Sequence, residues 1–228
     1  MKKFFSKYKS VRGFTLLELS ISLAVMFIMV GGIFAEYPIT AMRITLTNVS
    51  YSTSLLLREA QLRGSAVDSG NSSPTNVSLS TDSPYGGYGV SMSLLSSGQI
   101  ILFNDTVDTN ISTPYGLAIG NGLYETSPLD ETKEITNFPK GYYIKKLCIL
   151  PDGSSIFSCN ANYTNSIESL VVSFTRPNPQ PNIYINGTKA ESFSAACIEL
   201  SSPRAQFRSV QVFKSGIIRT QSTKCDSN

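Results

Sequence analysis

The sequence predicts an α+β protein in which a long N-terminal helix, apolar and then amphipathic, packs on an antiparallel β-sheet or sandwich. Three observations lead there. Phe14 to Ala35 is a run of 22 residues with a single charged side chain, Glu18. The stretch SLLLREAQLRGSAV, ending at Val67, repeats apolar residues at helical spacing. Beyond residue 85 the chain breaks into short alternating apolar runs separated by turn residues, the pattern of half-buried strands.

The elements follow in order. Residues 1–13, MKKFFSKYKSVRG, hold five basic side chains (Lys2, Lys3, Lys7, Lys9, Arg12) and no acidic one. The next 22 residues span roughly 33 Å as a helix, close to the hydrocarbon thickness of a bilayer. A basic flank before this segment places the N-terminus in the cytoplasm and the bulk of the chain on the far side. A secretory signal peptide has an apolar core of about 7 to 15 residues and a small-residue cleavage site. Here the run is longer, and Ile33-Phe34-Ala35 makes a poor site. A plain anchor gains nothing from Glu18, because a carboxylate in hydrocarbon costs on the order of 2.5 to 3.5 kcal/mol. Glu18 therefore calls for a partner.

Gly31, Gly32 and Pro38 weaken a helix, so a bend or local melting is expected between Gly31 and Pro38. Residues 39–54 are β-branched and Ser-rich, poor helix material by propensity. Further on, Leu55, Leu62 and Ala66 fall on one stripe and Leu56, Ala60 and Val67 on another, with Glu59 and Arg63 between them at a pairing spacing. The two stripes serve either two surfaces or a single broad core face. Residues 68–84 read as a polar linker. Eight strand-like runs follow: YGVSMSL, QIILFN, YYIKKLCIL, IESLVVSF, IYING, ACIEL, FRSVQVF and IIRTQ. All four cysteines, Cys148, Cys159, Cys197 and Cys225, lie in this part without a CxxC spacing, which favours disulfides in an oxidising compartment over a metal site. Cys148 and Cys159 flank Pro151-Asp152-Gly153, so a hairpin would bring them together and leave Cys197 and Cys225 as the second pair. Four cysteines permit three pairings.

The absence of His and Trp removes the commonest general base, the Ser-His-Asp and Cys-His arrangements, and imidazole metal ligands. No nucleophile with a supporting base and no phosphate-binding glycine loop is present, so no enzymatic role and no cofactor are expected. The stretch from Asn104 to Glu134 holds Asp105, Asp108, Asn110, Asn121, Glu125, Asp130, Glu131 and Glu134. Such oxygen donors suit Ca²⁺. Their spacing departs from that of an EF-hand, so a solvated acidic loop is the favoured reading, with calcium secondary. The C-terminal third carries Arg204, Arg208, Lys214, Arg219 and Lys224. Alternate strand residues face opposite ways, which argues against one nucleic-acid patch.

The segment Gly13-Phe14-Thr15-Leu16-Leu17-Glu18-Leu19 resembles the class III signal of type IV prepilins and type II secretion pseudopilins. The resemblance implies cleavage after Gly13, N-methylation of Phe14 and a role in assembly for Glu18, the glutamate at mature position five. It also implies that the helix continues through 36–67. The organisation that follows is a leader at 1–13, a transmembrane and assembly helix at 14–35, its continuation at 36–67, the linker at 68–84, and an exported β-rich domain at 85–228. The expected partners are the prepilin peptidase/N-methyltransferase, other pilin or pseudopilin subunits and the inner membrane, which a single pass would cross before assembly carries the chain to the cell surface. The last strands, with Cys197 and Cys225, look like the closing hairpin of minor pilins and pseudopilins. The rival reading is an anchored extracytoplasmic binding domain, such as a DNA-binding uptake pilin. Removal of residues 1–13 leaves 14 basic against 16 acidic side chains, so the net charge of +3 reverses sign.

Overall fold

The computed structural model describes residues 13–65, 87–105, 121–126, 131–161, 165–175 and 178–225. The chain divides into two compact units, Met1–Met42 and Arg43–Asn228. One helix, α1, spans Leu16–Ser65.

In the first unit, the described residues from Gly13 onward are helical after Thr15, and the large apolar side chains of its first half, from Phe14 to Met29, are exposed. The local melting expected between Gly31 and Pro38 does not occur, because α1 runs through Gly31, Gly32 and Pro38 without interruption. A proline inside a helix costs about 3 kcal/mol. Unwinding a turn would strip several more backbone groups of their bonds, and an apolar segment suited to lipid offers them no substitute.

In the second unit, residues 43–54 are helical despite their propensity. Their hydroxyls explain how. Thr47 Oγ1 donates to the Arg43 carbonyl (2.7 Å), Ser50 Oγ to Thr47 (2.8 Å), Thr53 Oγ1 to Val49 (2.9 Å) and Ser54 Oγ to Tyr51 (2.8 Å). Side chains satisfied by their own helix are free to be buried, and Ser50, Thr53 and Ser54 are. The two apolar stripes part company. Leu56 and Ala60 are 6% and 0% exposed, whereas Leu55 and Leu62 are 62% and 70% exposed. A single broad core face is thereby excluded for these four; Ala66 and Val67 lie outside the described residues, as does the 68–84 stretch. Arg63 and Glu59 form the expected ion pair at 2.7 Å.

Among the described residues twelve strands follow: β1 (Gly87–Ser93), β2 (Gln99–Asp105), β3 (Thr132–Asn137), β4 (Tyr143–Pro151), β5 (Asn160–Ala161), β6 (Asn165–Ser166), β7 (Ser169–Thr175), β8 (Asn178–Ile185), β9 (Thr188–Lys189), β10 (Phe193–Ser201), β11 (Phe207–Phe213) and β12 (Ile218–Gln221). They form antiparallel sheets of order β3-β2-β1-β7-β8-β9 and β12-β11-β10-β4, with β5 and β6 as a small pair. The eight strand-like runs all appear among them. Strand β3 is an addition to the eight runs, and its first half, Thr132 to Glu134, overlaps the end of the stretch read as an acidic loop. It pairs with β2 from Gln99↔Asn137 to Phe103↔Thr132 at the sheet edge, where an exposed, charged strand is tolerated.

One hydrophobic core unites these parts. Leu46, Val49, Leu56, Leu57 and Ala60 of α1 meet Val90, Leu102 and Val172 of the larger sheet and Leu147, Ile198 and Val212 of the smaller. The outward face of the smaller sheet carries a second cluster, in which Cys148, Cys197 and Cys225 pack with Phe157 and Cys159. Its bonds are Cys148–Cys159 and Cys197–Cys225, although Cys148 and Cys197 stand directly opposite one another on β4 and β10.

Near the end of α1, Gly64 lies against the Phe174 backbone so closely that a Cβ would collide with the Phe174 carbonyl and Cβ. Gly98 faces open space. The expected outcome is that Gly64→Ala lowers stability by about 1 to 3 kcal/mol in thermal or urea unfolding, while Gly98→Ala shows no comparable loss.

Candidate functional site

At the N-terminus, Gly13, Phe14 and Thr15 precede the helix. Thr15 serves as its cap. The Glu18 amide donates to Thr15 Oγ1 (3.2 Å), and the Leu19 amide donates to the Thr15 carbonyl (3.1 Å). The order Thr-x-x-Glu is a capping-box sequence, a local signal for the cap that is masked because Glu18 also stands as the one charge of an apolar segment. Glu18 sits in the first turn, where a carboxylate opposes the positive end of the helix dipole. Ser22 Oγ donates to the Glu18 carbonyl (2.8 Å), leaving the carboxylate uncommitted by that contact. Phe14, Leu16 and Leu17 are exposed, and nothing lies within 4 Å of a Cβ placed on Gly13. The Gly13–Phe14 bond thus lies outside the helix. Lys2, Lys3, Lys7, Lys9 and Arg12 lie outside the described residues.

In its described residues the acidic stretch departs from the solvated loop expected of it. Asp108, Asn110 and Asp130 lie outside the described residues. Of the remainder, Asp105 and Glu131 are buried. Asp105 Oδ2 accepts the Gly122 N–H (2.6 Å), Glu131 Oε2 accepts the Glu125 N–H (3.0 Å), and Glu125 Oε1 accepts Asn121 Nδ2 (2.9 Å). Glu134 lies on β3 and accepts Thr136 Oγ1 (3.4 Å). The Asp105 and Glu131 carboxylates pin residues 121–126 to the outward face of the larger sheet, where Tyr124 meets Phe103 with ring centroids 5.7 Å apart. Gly122 has φ of 80°, and its Cα faces the Tyr184 ring with no room for a side chain. Among the described residues no acidic group is arranged to hold a metal ion. Burial, with the nearby Glu131 charge adding to it, pushes the Asp105 carboxyl up to about 7 against the opposing bond from Gly122. Burial and then the Asp105 charge also raise the Tyr184 phenol.

The five C-terminal cations do not form one patch. Arg208 stands opposite Leu200 and Arg219 opposite Gln211, on alternate faces of the smaller sheet. Lys214 Nζ lies 3.4 Å from Asp152. Arg219 donates to Gln211 Oε1 (3.0 Å) and stacks 4.7 Å from the Phe213 centroid. Arg204 is exposed in the β10–β11 turn, and Lys224 lies over Phe207.

Because folding raises the Asp105 pKa above its usual 3.8, the folded state binds the extra proton between about pH 4 and 7. The stability that Asp105 contributes is therefore fully present below this window and is lost as pH rises through it. Asp105→Asn, which retains an acceptor for Gly122 but cannot ionise, is expected to flatten the decline in melting temperature measured between pH 4 and 8.

Comparison with known proteins adds one finding at the N-terminus. The sequence model of the prokaryotic N-terminal methylation motif matches residues 8–34. No curated protein and no solved structure matches the chain. The matched span contains Gly13, Phe14, the Thr15 cap and Glu18. Residues 8–34 are therefore the prepilin-type cleavage and methylation signal found in type IV pilins and pseudopilins, which marks a substrate of the prepilin peptidase.

Proposed function

We propose that the chain is a structural subunit of a type IV pilus or type II secretion pseudopilus, cut after Gly13 and N-methylated at Phe14. The observation that carries this reading is the methylation motif over residues 8–34. Two features support it. The apolar side chains from Phe14 to Phe34, Val30 excepted, are exposed, an arrangement that water penalises and that lipid or a bundle of neighbouring helices relieves. Farther along, Ile44, Tyr51, Leu55 and Leu62 are exposed at successive spacings of seven, four and seven, one helical stripe beside the buried one. That stripe suits a neighbouring helix.

The chemistry of processing explains why Glu18 belongs where it is. Before the cut, the basic leader holds the N-terminus in the cytoplasm and the apolar segment spans the inner membrane. Hydrolysis of the Gly13–Phe14 peptide frees an α-amino group with an ordinary pKa of about 8, which stays mostly cationic after methylation. This cation sits beside the positive end of a helix, an unfavourable position on its own. Glu18 supplies the compensating charge, either within the subunit or toward the terminus of a neighbour in the assembled bundle. Only the second arrangement sets the register between subunits, and fixing register is the best-attested use of a buried ion pair. The Arg43–Asn228 unit would then face outward from the helical core.

Two measurements test this reading. Mass spectrometry of the protein from a host with the processing enzyme should find N-methyl-Phe14 as the first residue; retention of Met1, or a start at Glu36, would refute it. Glu18→Ala should remain in the membrane fraction yet fail to enter filaments, and normal incorporation of that variant would remove the assembly role.

A further inference from the structure

We propose that the end of the Arg43–Asn228 unit around Arg43 and Arg208 is a phosphate-binding surface for anionic phospholipid headgroups. The proposal rests on the reading that residues 14–35 span the membrane. Arg43 and Leu46 of α1, with Gln206, Phe207, Arg208 and Ser222, line an open cleft of about 210 Å³. Among the described residues neither guanidinium has a carboxylate or hydrogen-bond partner. Two guanidinium forks with no such partner among the described residues, beside a hydroxyl and a side-chain amide, match the oxygens of a phosphate, while Leu46 and Phe207 supply an apolar wall.

Further positive charge gathers at the same end. Lys145 Nζ and Lys224 Nζ lie 4.1 and 4.8 Å from the Phe207 ring centroid. Gly141 packs against the Pro203 ring, and Lys140 and Arg204, next in the chain to these two residues, are both exposed. Glu199, on neighbouring β10, is buried and accepts the Cys225 N–H (3.3 Å), so its charge is turned away from solvent.

The orientation of this end within the unit follows from hydrogen bonds at the other. Gln61 Nε2 donates to the Gly216 carbonyl (3.0 Å) and Arg58 Nη2 to the Ile218 carbonyl (3.4 Å). The β11–β12 hairpin therefore lies along α1 with its turn beside Gln61 and its open end beside Arg43. Arg43 follows Ala35, the last residue of the apolar run, by eight residues. As helix, that is about 12 Å of chain. The headgroup zone extends about 5 to 7 Å beyond the hydrocarbon on each side, and a long arginine side chain reaches back toward it. Lipid phosphate is thus the anion within reach of the chain.

The test uses the full chain reconstituted in nanodiscs of phosphatidylcholine with or without phosphatidylglycerol. Amide hydrogen exchange in the 202–208 and 222–224 segments should slow by roughly fivefold or more when phosphatidylglycerol is present, the factor that a single Lys or Arg contributes at an anionic surface. The R43Q/R208Q variant should lose this response, and R43K/R208K should retain most of it; matching melting temperatures will show that both remain folded. Unchanged exchange on adding phosphatidylglycerol, or a full response in R43Q/R208Q, overturns the proposal. So does equal protection by inorganic phosphate or by a DNA oligonucleotide in phosphatidylcholine discs, which would assign the cleft to a soluble anion. Failure of the chain to enter nanodiscs of either kind would instead refute the membrane-spanning reading.

Discussion

Burial of one side of α1 between Leu46 and Gly64 is the constraint on which the Arg43–Asn228 unit depends. The two larger sheets each bring an apolar face to it, and the same core holds residues from all three. Leu57 and Ala60, both fully buried, mark the middle of that contact. Farther along, Gly64 allows the Phe174 backbone to approach. A helix of large apolar residues would fill this space badly, and one of ordinary polar residues would bury unmet hydrogen-bonding groups. Small hydroxyl side chains bonded to their own helix avoid both difficulties.

Around this centre the two sheets are finished differently on their outward sides. The larger is covered by residues 121–126, held through the Asp105 and Glu131 carboxylates. The smaller is covered by the cysteine cluster, where covalent bonds secure the cover. The first attachment responds to protons, whereas the second responds to reductants. A change in either would reach an outer layer before it reached the core.

The eight main strand runs were legible because alternation and turn residues are local signals. YYIKKLCIL and FRSVQVF, for example, became β4 and β11 nearly whole. TKEITN carried one large apolar residue and three acidic or basic neighbours within a few positions, so its pairing with β2 was hidden. Residues 39–54 showed the opposite conflict. Their propensity argued against helix, and only burial together with the Ser and Thr back-bonds made helix favourable. At the N-terminus the processing signal is legible from residue order alone, while the Thr15 cap is hidden because Glu18 belongs to both patterns. The Asp105 to Gly122 bond joins positions 17 residues apart through a left-handed glycine, and no local pattern reports it.

The Thr15 cap has a bearing on how a protease would meet this chain. Peptidases need a backbone they can grasp in extended form, and an advancing helix would withdraw the scissile amide into its own hydrogen-bond ladder. By ending the ladder at Thr15, the cap acts as a fence that keeps helix order from spreading back across Gly13 and Phe14. If the chain is cut after Gly13 as proposed, Glu18 has one task before the cut, holding that fence from its place in the first turn, and another afterwards, facing the new amine.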